Sequence, residues 1–259
     1  MERYQQLLYY LRQAGPIAVA FSGGVDSTLL LKAAHDALGD QAVGITVTGP
    51  MQFRRELAEA RNLAALIGVR QLELRLDWSE LTDLHHNPDD RCYRCKRRLL
   101  MLCRDAIPSG YTLCDGSTID DLHAHRPGRR ALAELAIASP LQAVGFAKDE
   151  VRSLSRQLGL PSWNKPAQSC LLTRFPHHTA ITEDDLHRVE TCEEALHDLQ
   201  FRVVRVRCTG DIARLEFGAD ELAAAHTPAM QATIQAVCAN AGFAQTVIEP
   251  SGYRSGSMD

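Results

Sequence analysis

The residues best suited to chemistry form the string Ser22-Gly23-Gly24-Val25-Asp26-Ser27. An apolar run at residues 17–21 predicts a buried strand before it, and the Leu- and Ala-rich residues 28–38 predict a helix after it. Two glycines allow a sharp turn and the close approach of an anion to the main chain. Asp and Ser are good N-cap residues, and a helix aims its positive dipole end at the preceding loop. The string therefore predicts a pyrophosphate site, with an ordinary helix-capping turn as the alternative.

Cysteines form the second candidate group. Cys92 and Cys95 stand at positions i and i+3, so they face one side if the segment opens a helix, where the thiolate form is favoured. Cys170 stands alone, 75 positions after Cys95 (170 − 95). The residues by themselves leave a redox pair, half of a zinc site, an iron–sulfur cluster and chance all open. The histidines that could complete a zinc site are His85, His86, His177 and His178.

The remaining cysteines lie in apolar surroundings and are predicted to be core residues. They are Cys103, Cys114, Cys192, Cys208 and Cys238.

The elements that must position these residues alternate between strands and helices. Further strands are predicted at residues 42–47, 71–76 and 111–114, and further helices at residues 53–67 and 92–107. This order predicts an α/β fold with a parallel sheet and helices on both faces. Ligands bind beyond the carboxyl ends of such strands, so we expect residues 22–27, Thr48 and Gly116 to surround one nucleotide.

The pattern changes near residue 160, where prolines punctuate a stretch without clear period. We interpret this stretch as a crossover loop leading into a small α/β domain. Its predicted elements are a helix at 183–199, strands at 202–207 and 213–217, a helix at 228–240 and a strand at 244–248. The sequence thus predicts two domains, residues 1–160 and 161–259, the second contributing to a substrate site.

Composition indicates a soluble enzyme. The chain has 259 residues and a net charge of −4, which gives no global attraction to nucleic acid. No apolar run approaches the length of a membrane span, and the amphipathic N-terminal segment does not look like a signal peptide. Eight cysteines in such a chain favour thiol chemistry or metal binding over disulfides. We expect a cytoplasmic protein that does not contact membranes.

Residues 22–27 lack the terminal Gly-Lys-Ser/Thr of a Walker loop and instead resemble the PP-loop of ATP pyrophosphatases, which cleave ATP between the α- and β-phosphates. Four other segments extend the resemblance, at residues 87–96 (NPDDRCYRCK), 125–134 (HRPGRRALAE), 158–174 (LGLPSWNKPAQSCLLTR) and 252–256 (GYRSG). Together they resemble the LarE family of ATP-dependent sulfur transferases, which build the nickel-pincer nucleotide cofactor of lactate racemase. His177-His178 departs from the Tyr-Gly that is usual in that family.

The resemblance implies a reaction and roles for individual residues. Such an enzyme adenylates the carboxylates of pyridinium-3,5-dicarboxylate mononucleotide with ATP and converts them to thiocarboxylates. Asp26 would help to hold Mg²⁺ against the phosphates, and Cys170 matches the sulfur-donor cysteine. In one branch this cysteine gives up its own sulfur; in another, three cysteines hold a [4Fe-4S] cluster that carries a sulfide. The presence of Cys92, Cys95 and Cys170 favours the cluster branch, and the alternative is a sacrificial Cys170.

Arginines are candidates for binding the phosphate and carboxylates of this substrate. Arg174 lies four residues after Cys170, and Arg205 and Arg207 alternate along a predicted strand, so they share one face. Glu216 is expected to meet the same site across the strand pair. A solvent-exposed strand face is the alternative for the two strand arginines. The resemblance further implies a homo-oligomer and an external sulfide source.

Rival functions come from other classes. PP-loop tRNA thiolases also combine a CxxC pair, a distant cysteine and a cluster, but the net charge of −4 and the absence of an evident RNA-binding appendage argue against one. Amidating PP-loop enzymes would need an ammonia source, and no glutaminase segment is found. A nucleotide- or cluster-sensing protein with a relict loop is the non-enzymatic alternative.

Overall fold

A computed structural model describes residues 1–122 and 127–254. Parts of the 125–134 and 252–256 motifs therefore lie outside the described residues. The helices are α1 Glu2–Ala14, α2 Val25–Leu38, α3 Arg54–Ile67, α4 Arg91–Ala106, α5 Arg129–Glu134, α6 Pro140–Ala143, α7 Lys148–Gln157, α8 Glu183–Asp198, α9 Leu222–Ala225 and α10 Pro228–Asn240. The strands are β1 Ile17–Ala20, β2 Ala42–Thr48, β3 Arg70–Arg75, β4 Thr112–Cys114, β5 Val204–Thr209, β6 Ile212–Phe217 and β7 Gln245–Ile248.

The chain divides into two compact units. Unit 1 comprises Met1–Gly49, Arg54–Glu80 and Asp90–Ala167. Unit 2 comprises Pro50–Phe53, Leu81–Asp89 and Gln168–Asp259. The main division falls after Ala167, whereas the sequence predicts a domain boundary at residue 160. Two short segments of the N-terminal half also belong to unit 2.

Unit 1 is built on a four-stranded sheet in the order β3-β2-β1-β4, with all pairs parallel. Alternate residues of β1 enter different cores, as period two requires. Ile17 and Val19 pack with the leucines of α1 and α2, whereas Ala18 packs with Leu100 and Cys103 of α4 on the other face. The predicted α/β fold with helices on both faces of a parallel sheet is confirmed.

Unit 2 contains a three-stranded sheet in the order β5-β6-β7. β5 and β6 are antiparallel, with Arg205 opposite Glu216, and β7 adds to β6 in parallel. α8 begins at a capping box in which the Thr182 hydroxyl accepts a hydrogen bond from the Asp185 amide at 3.1 Å and the Asp185 carboxylate accepts one from the Thr182 amide at 3.0 Å. The buried side chains of α8 and the sheet form the core of this unit.

The described residues include no helix that is long and apolar enough to cross a membrane. All five cysteines predicted to be core residues are buried, so that prediction is confirmed.

Candidate functional site

The glycine loop connects β1 to α2 at the carboxyl edge of the sheet in unit 1. Gly23 has φ +71°, and a Cβ atom there would lie 2.9 Å from the Cβ of Ala60, so both its backbone and its neighbour on α3 require glycine. Gly24 is the N-cap of α2, with extended backbone. α2 therefore starts directly after the turn, at Val25 and not at the predicted residue 28. The expectation that Asp26 or Ser27 caps the helix is wrong, because both residues lie inside its first turn.

Two serine hydroxyls hold the loop in shape. The amide of Gly24 donates to the Ser22 Oγ at 3.3 Å, and the Ser27 Oγ donates to the Gly24 carbonyl at 3.2 Å. The two hydroxyl oxygens lie 3.1 Å apart. The first-turn amides of an α-helix, here those of Val25 and Asp26 among others, have no intrahelical acceptor and point out of the helix end. A helix start of this kind, preceded by a glycine turn, is typical of anion sites.

Two of the expected neighbours adjoin this loop in sequence-distant positions. A Cβ atom on Gly116 would lie 2.9 Å from the Ser27 amide nitrogen, so the chain after β4 packs directly against the start of α2. Thr48 ends β2, the strand beside β1, and its hydroxyl donates to the Leu74 carbonyl at 3.4 Å. The placement of Gly116 and Thr48 therefore agrees with the expectation that they share one edge of the sheet with the glycine loop.

Lys148 is a site residue that the sequence reasoning missed. Its ammonium forms an ion pair with Asp26 and lies 4.0 Å from an Asp121 carboxylate oxygen. Its backbone amide donates to Asp120 at 2.7 Å, which fixes the start of α7. A lysine 122 positions away from Asp26 carries no local signal of this contact. The pair places a cation beside the loop, where phosphate charge would be neutralised.

Asp115, just before Gly116, is a second buried charge near the loop. Burial alone would raise the pKa of this carboxyl, but the Lys96 ammonium at 3.0 Å and hydrogen bonds from Ser139 and Ser117 outweigh it and hold the pKa below its usual value. Lys96 directly follows Cys95. The CxxC helix is thereby tied to the chain that follows β4.

Cys92 and Cys95 lie in the first turn of α4, as predicted. Cys92, Cys95 and Cys170 are half-buried, whereas the other five cysteines are buried. Within the residues that the structure describes, however, no group of three or more His, Cys, Asp or Glu side chains is gathered to hold a metal ion. Cys170 belongs to unit 2, and the convergence of the three cysteines stays a prediction.

The same result bears on the zinc alternative. Asp89 lies 3.4 Å from the Nδ1 of His177 and 3.1 Å from the Nε2 of His178, but the described residues supply no three-ligand group around them. His178 has φ +61°, which explains why a glycine suits this position in the family pattern.

The segment that carries Cys170 is clamped within unit 2. Asn87 is fully buried, and its Nδ2 donates to the carbonyls of Phe175 and Pro176, both at 2.9 Å. The Leu171 amide donates to the Met51 carbonyl at 2.9 Å. In the sequence, Asn87 stands out only as the first residue of the 87–96 motif. The structure shows that its side chain holds the backbone that follows the candidate sulfur donor.

Arg174 is fully buried and lies in a dense hydrogen-bond network. Its Nε and Nη2 donate to the two carboxylate oxygens of Glu193 at 2.6 and 3.0 Å. Its Nη1 donates to the hydroxyls of Thr173 and Ser169, at 2.7 and 2.8 Å, and Ser169 immediately precedes Cys170. The guanidinium also lies 5.3 Å from the Phe53 ring centre. Arg174 thus holds the Cys170 segment in place through other side chains.

Arg205 and Arg207 are buried, so the alternative of a solvent-exposed strand face is wrong. Arg207 donates to Glu216 at 2.8 and 3.0 Å and to the Thr173 carbonyl at 2.7 Å, which brings Glu216 to the same cluster. Arg205 lies 5.0 Å from the Tyr253 ring centre.

Burial lowers the pKa of the Arg205 guanidinium, and the positive charges of Arg174 and Arg207 act in the same direction. An anion bound at this cluster would offset that repulsion. The arginines are therefore arranged as a basic cluster beside the segment that bears Cys170, all within unit 2.

Comparison with known proteins gives three informative relatives and one family model. The model, described as asparagine synthase, matches residues 8–107. Pyridinium-3,5-bisthiocarboxylic acid mononucleotide synthase of Lactiplantibacillus plantarum is 32% identical over 98% of this chain and 92% of its own length. An uncharacterised protein of Synechocystis is 35% identical over 99% of this chain and 97% of its own, and one of Methanocaldococcus jannaschii is 29% identical over 79% and 78%.

Proposed function

The chain belongs to the LarE family, as its similarity to the L. plantarum synthase over nearly its whole length demonstrates, and from this premise we propose that it is an ATP-dependent sulfur transferase. In the proposed reaction it adenylates the carboxylates of pyridinium-3,5-dicarboxylate mononucleotide and converts them to thiocarboxylates. The product would serve the nickel-pincer nucleotide cofactor of a lactate racemase. The observation that carries the proposal is the hydrogen-bonded glycine loop of residues 22–27 in a chain so closely related to that synthase.

In the first step a substrate carboxylate oxygen attacks the α-phosphorus of ATP, and pyrophosphate leaves. The amides at the start of α2 would receive the phosphates, and Asp26 would help to hold Mg²⁺. Lys148 now pairs with Asp26. It would turn to the departing pyrophosphate when Asp26 engages the metal, so the ion pair keeps both groups oriented in the absence of ATP.

In the second step a sulfur nucleophile attacks the acyl adenylate, AMP leaves, and the carboxylate becomes a thiocarboxylate. Cys92, Cys95 and Cys170 would hold a [4Fe-4S] cluster, and their partial exposure supports this donor set. When bound, the cluster supplies a replaceable sulfide at the iron that lacks a cysteine ligand. Arg174, Ser169 and Asn87 orient the Cys170 segment for this purpose.

The substrate would be held by the arginine cluster of unit 2. Arg205 and Arg207 would bind its phosphate, because buried guanidinium groups offer paired donors and gain from an anion that relieves their mutual repulsion. Glu216 fixes the orientation of Arg207 through its two hydrogen bonds. Arg174 stays committed to Glu193, so we assign it a positioning role beside Cys170.

The proposal is tested by pyrophosphate release with ATP, Mg²⁺ and the dicarboxylate mononucleotide. Asp26→Ala should lose release by at least about 100-fold while the circular dichroism spectrum stays unchanged, because the side chain lies in the first turn of α2, is partly exposed and is not in a core. Asp40→Ala, which removes an exposed carboxylate just beyond α2, is the matched control and should keep wild-type release. Undiminished release in Asp26→Ala would exclude the assigned nucleotide site.

The sulfur source is tested separately, with anaerobically reconstituted protein. Each of Cys92→Ala, Cys95→Ala and Cys170→Ala should lose both the broad visible absorbance and multiple-turnover thiolation. If only Cys170→Ala is inactive, and the wild-type protein becomes lighter by one H₂S after a single turnover, the sacrificial mechanism replaces the cluster mechanism.

A further inference from the structure

Two thiols that the proposed reaction does not use face each other inside unit 2. Cys192 of α8 and Cys238 of α10 are both fully buried, and their sulfur atoms lie 3.6 Å apart. This is a van der Waals separation. Disulfide formation requires the sulfurs to close from this distance to about 2.0 Å.

The chemistry of the pair is asymmetric. The hydrogen bond from Cys192 lowers the pKa of Cys238, burial opposes this, and a hydrogen bond from Thr246 adds to the lowering. The same hydrogen bond, together with burial, raises the pKa of Cys192. Of the two thiols, Cys238 is thus the one whose thiolate form is less disfavoured, which assigns it the first step of disulfide formation.

A surface cleft of unit 2 is lined by residues that neighbour the pair. A cleft of about 200 Å³ lies on the surface of unit 2, and its lining includes Ile234 and Thr246. Ile234 is one helical turn before Cys238, and Thr246 is the residue that bonds to the Cys238 sulfur. The cleft is large enough for several water molecules, and hydrogen peroxide is little larger than one.

We propose that Cys192 and Cys238 are a site of reversible disulfide formation that responds to hydroperoxides. The Cys238 thiolate attacks an oxygen of hydrogen peroxide, and the O–O bond breaks to give a sulfenic acid. The departing hydroxide takes up the proton that the thiol released and leaves as water. Cys192 then attacks that sulfur, the S–O bond breaks, and a second water leaves. Two thiols are oxidised and one peroxide is reduced, and a dithiol reductant reverses the change.

The crosslink would also act on the next residue of α8. Glu193 follows Cys192 and accepts hydrogen bonds from Arg174 and, at 2.7 Å, from the amide of Val206 on the edge strand β5. Drawing the Cys192 sulfur towards α10 pulls on Glu193. The Val206 amide should therefore exchange its hydrogen faster in the oxidised protein.

The test uses the full-length wild-type protein, oxidised with stoichiometric hydrogen peroxide, alkylated in denaturant without reductant, and mapped by peptide mass spectrometry. A Cys192–Cys238 disulfide that dithiothreitol removes supports the proposal. Since the crosslink closes a loop of 46 residues, it should stabilise the protein and raise the melting temperature by roughly 10 °C. Hydrogen exchange of the Val206 amide supplies the second measurement.

Two results would overturn the proposal: both thiols fully alkylated after oxidation, or crosslinks of either cysteine that map mainly elsewhere. An unchanged Val206 amide in the crosslinked protein would overturn the coupling to Glu193. Cys103→Ala, which removes a buried thiol of unit 1, is the control and should form the disulfide as wild type does. The test depends on the peptide map of the wild-type protein, so it does not require that the variants Cys192→Ala and Cys238→Ala fold.

Discussion

Replacing Glu193 with Gln tests whether the buried ion pair positions the Cys170 segment. Glu193 accepts three hydrogen bonds, two from the Arg174 guanidinium at 2.6 and 3.0 Å and one from the Val206 amide at 2.7 Å. Glutamine keeps one acceptor oxygen and places an NH₂ group where the second carboxylate oxygen was. That donor would face the Nη2 donor of Arg174, and the guanidinium charge would lose its counter-charge.

The expected cost follows from the burial of both partners. Neither side chain is exposed to solvent. Removing one partner of a buried pair costs about 3–5 kcal/mol, and glutamine retains part of the hydrogen bonding, so we expect a loss of about 3 kcal/mol in the free energy of unfolding. This corresponds to a roughly 100-fold larger population of locally open unit 2, which leaves the protein folded.

The assay is native-state hydrogen exchange of amides in α8 and β5. Tryptophan fluorescence would not report on the opening of unit 2, because Trp78 and Trp163 both belong to unit 1. Asp198→Asn removes a negative charge from the exposed C-terminal end of the same helix and should be neutral or slightly stabilising. If Glu193→Gln and Asp198→Asn differ by less than about 0.5 kcal/mol, the buried pair does not stabilise unit 2 as argued.

Three further predictions concern unit 1. Ala136→Gly should stabilise the chain by about 0.5–1 kcal/mol in thermal unfolding, because Ala136 has φ +52°, whereas Ala133→Gly within α5 should destabilise it by a similar amount. Gly116→Ala should raise the KM for ATP at least several-fold in the pyrophosphate assay, because its Cβ would lie 2.9 Å from the Ser27 amide nitrogen. The lowered folded-state pKa of Asp115 contributes stability that is present above its unfolded pKa and lost as pH falls through the folded value. Lys96→Met should therefore lower the free energy of unfolding at about pH 7 and make its decline below about pH 5 shallower in chemical denaturation, and an unchanged pH profile would contradict the assignment.

Local patterns in the sequence were sufficient for the elements and the loop. The apolar run before Gly23 and the leucine-rich run after it determine a strand, a turn and a helix start, because each depends on residues within a few positions. The same holds for α10, whose predicted range of 228–240 coincides with Pro228–Asn240. Period two along β5 was enough to place Arg205 and Arg207 together.

Such local patterns do not predict which side chains are buried or which distant residues they contact. Period two puts two arginines on one face but does not say what covers that face, so an exposed face remained as plausible as a buried one until the structure showed both to be buried. Arg174 was expected to meet the substrate, and the structure instead engages its donors with Glu193, Ser169 and Thr173.

What the sequence by itself determined is thus which chemical groups are available: a glycine loop between a strand and a helix, three cysteines set apart from the apolar ones, and a set of arginines. What only the tertiary structure decided is which charges meet, as in the pairing of Lys148 with Asp26 and the clamp that Asn87 places on the chain after Cys170. The physical reason is the distance along the chain over which each interaction acts. Helix and strand preferences act between neighbours, whereas an ion pair 122 positions apart exists only because the packed cores bring its partners together.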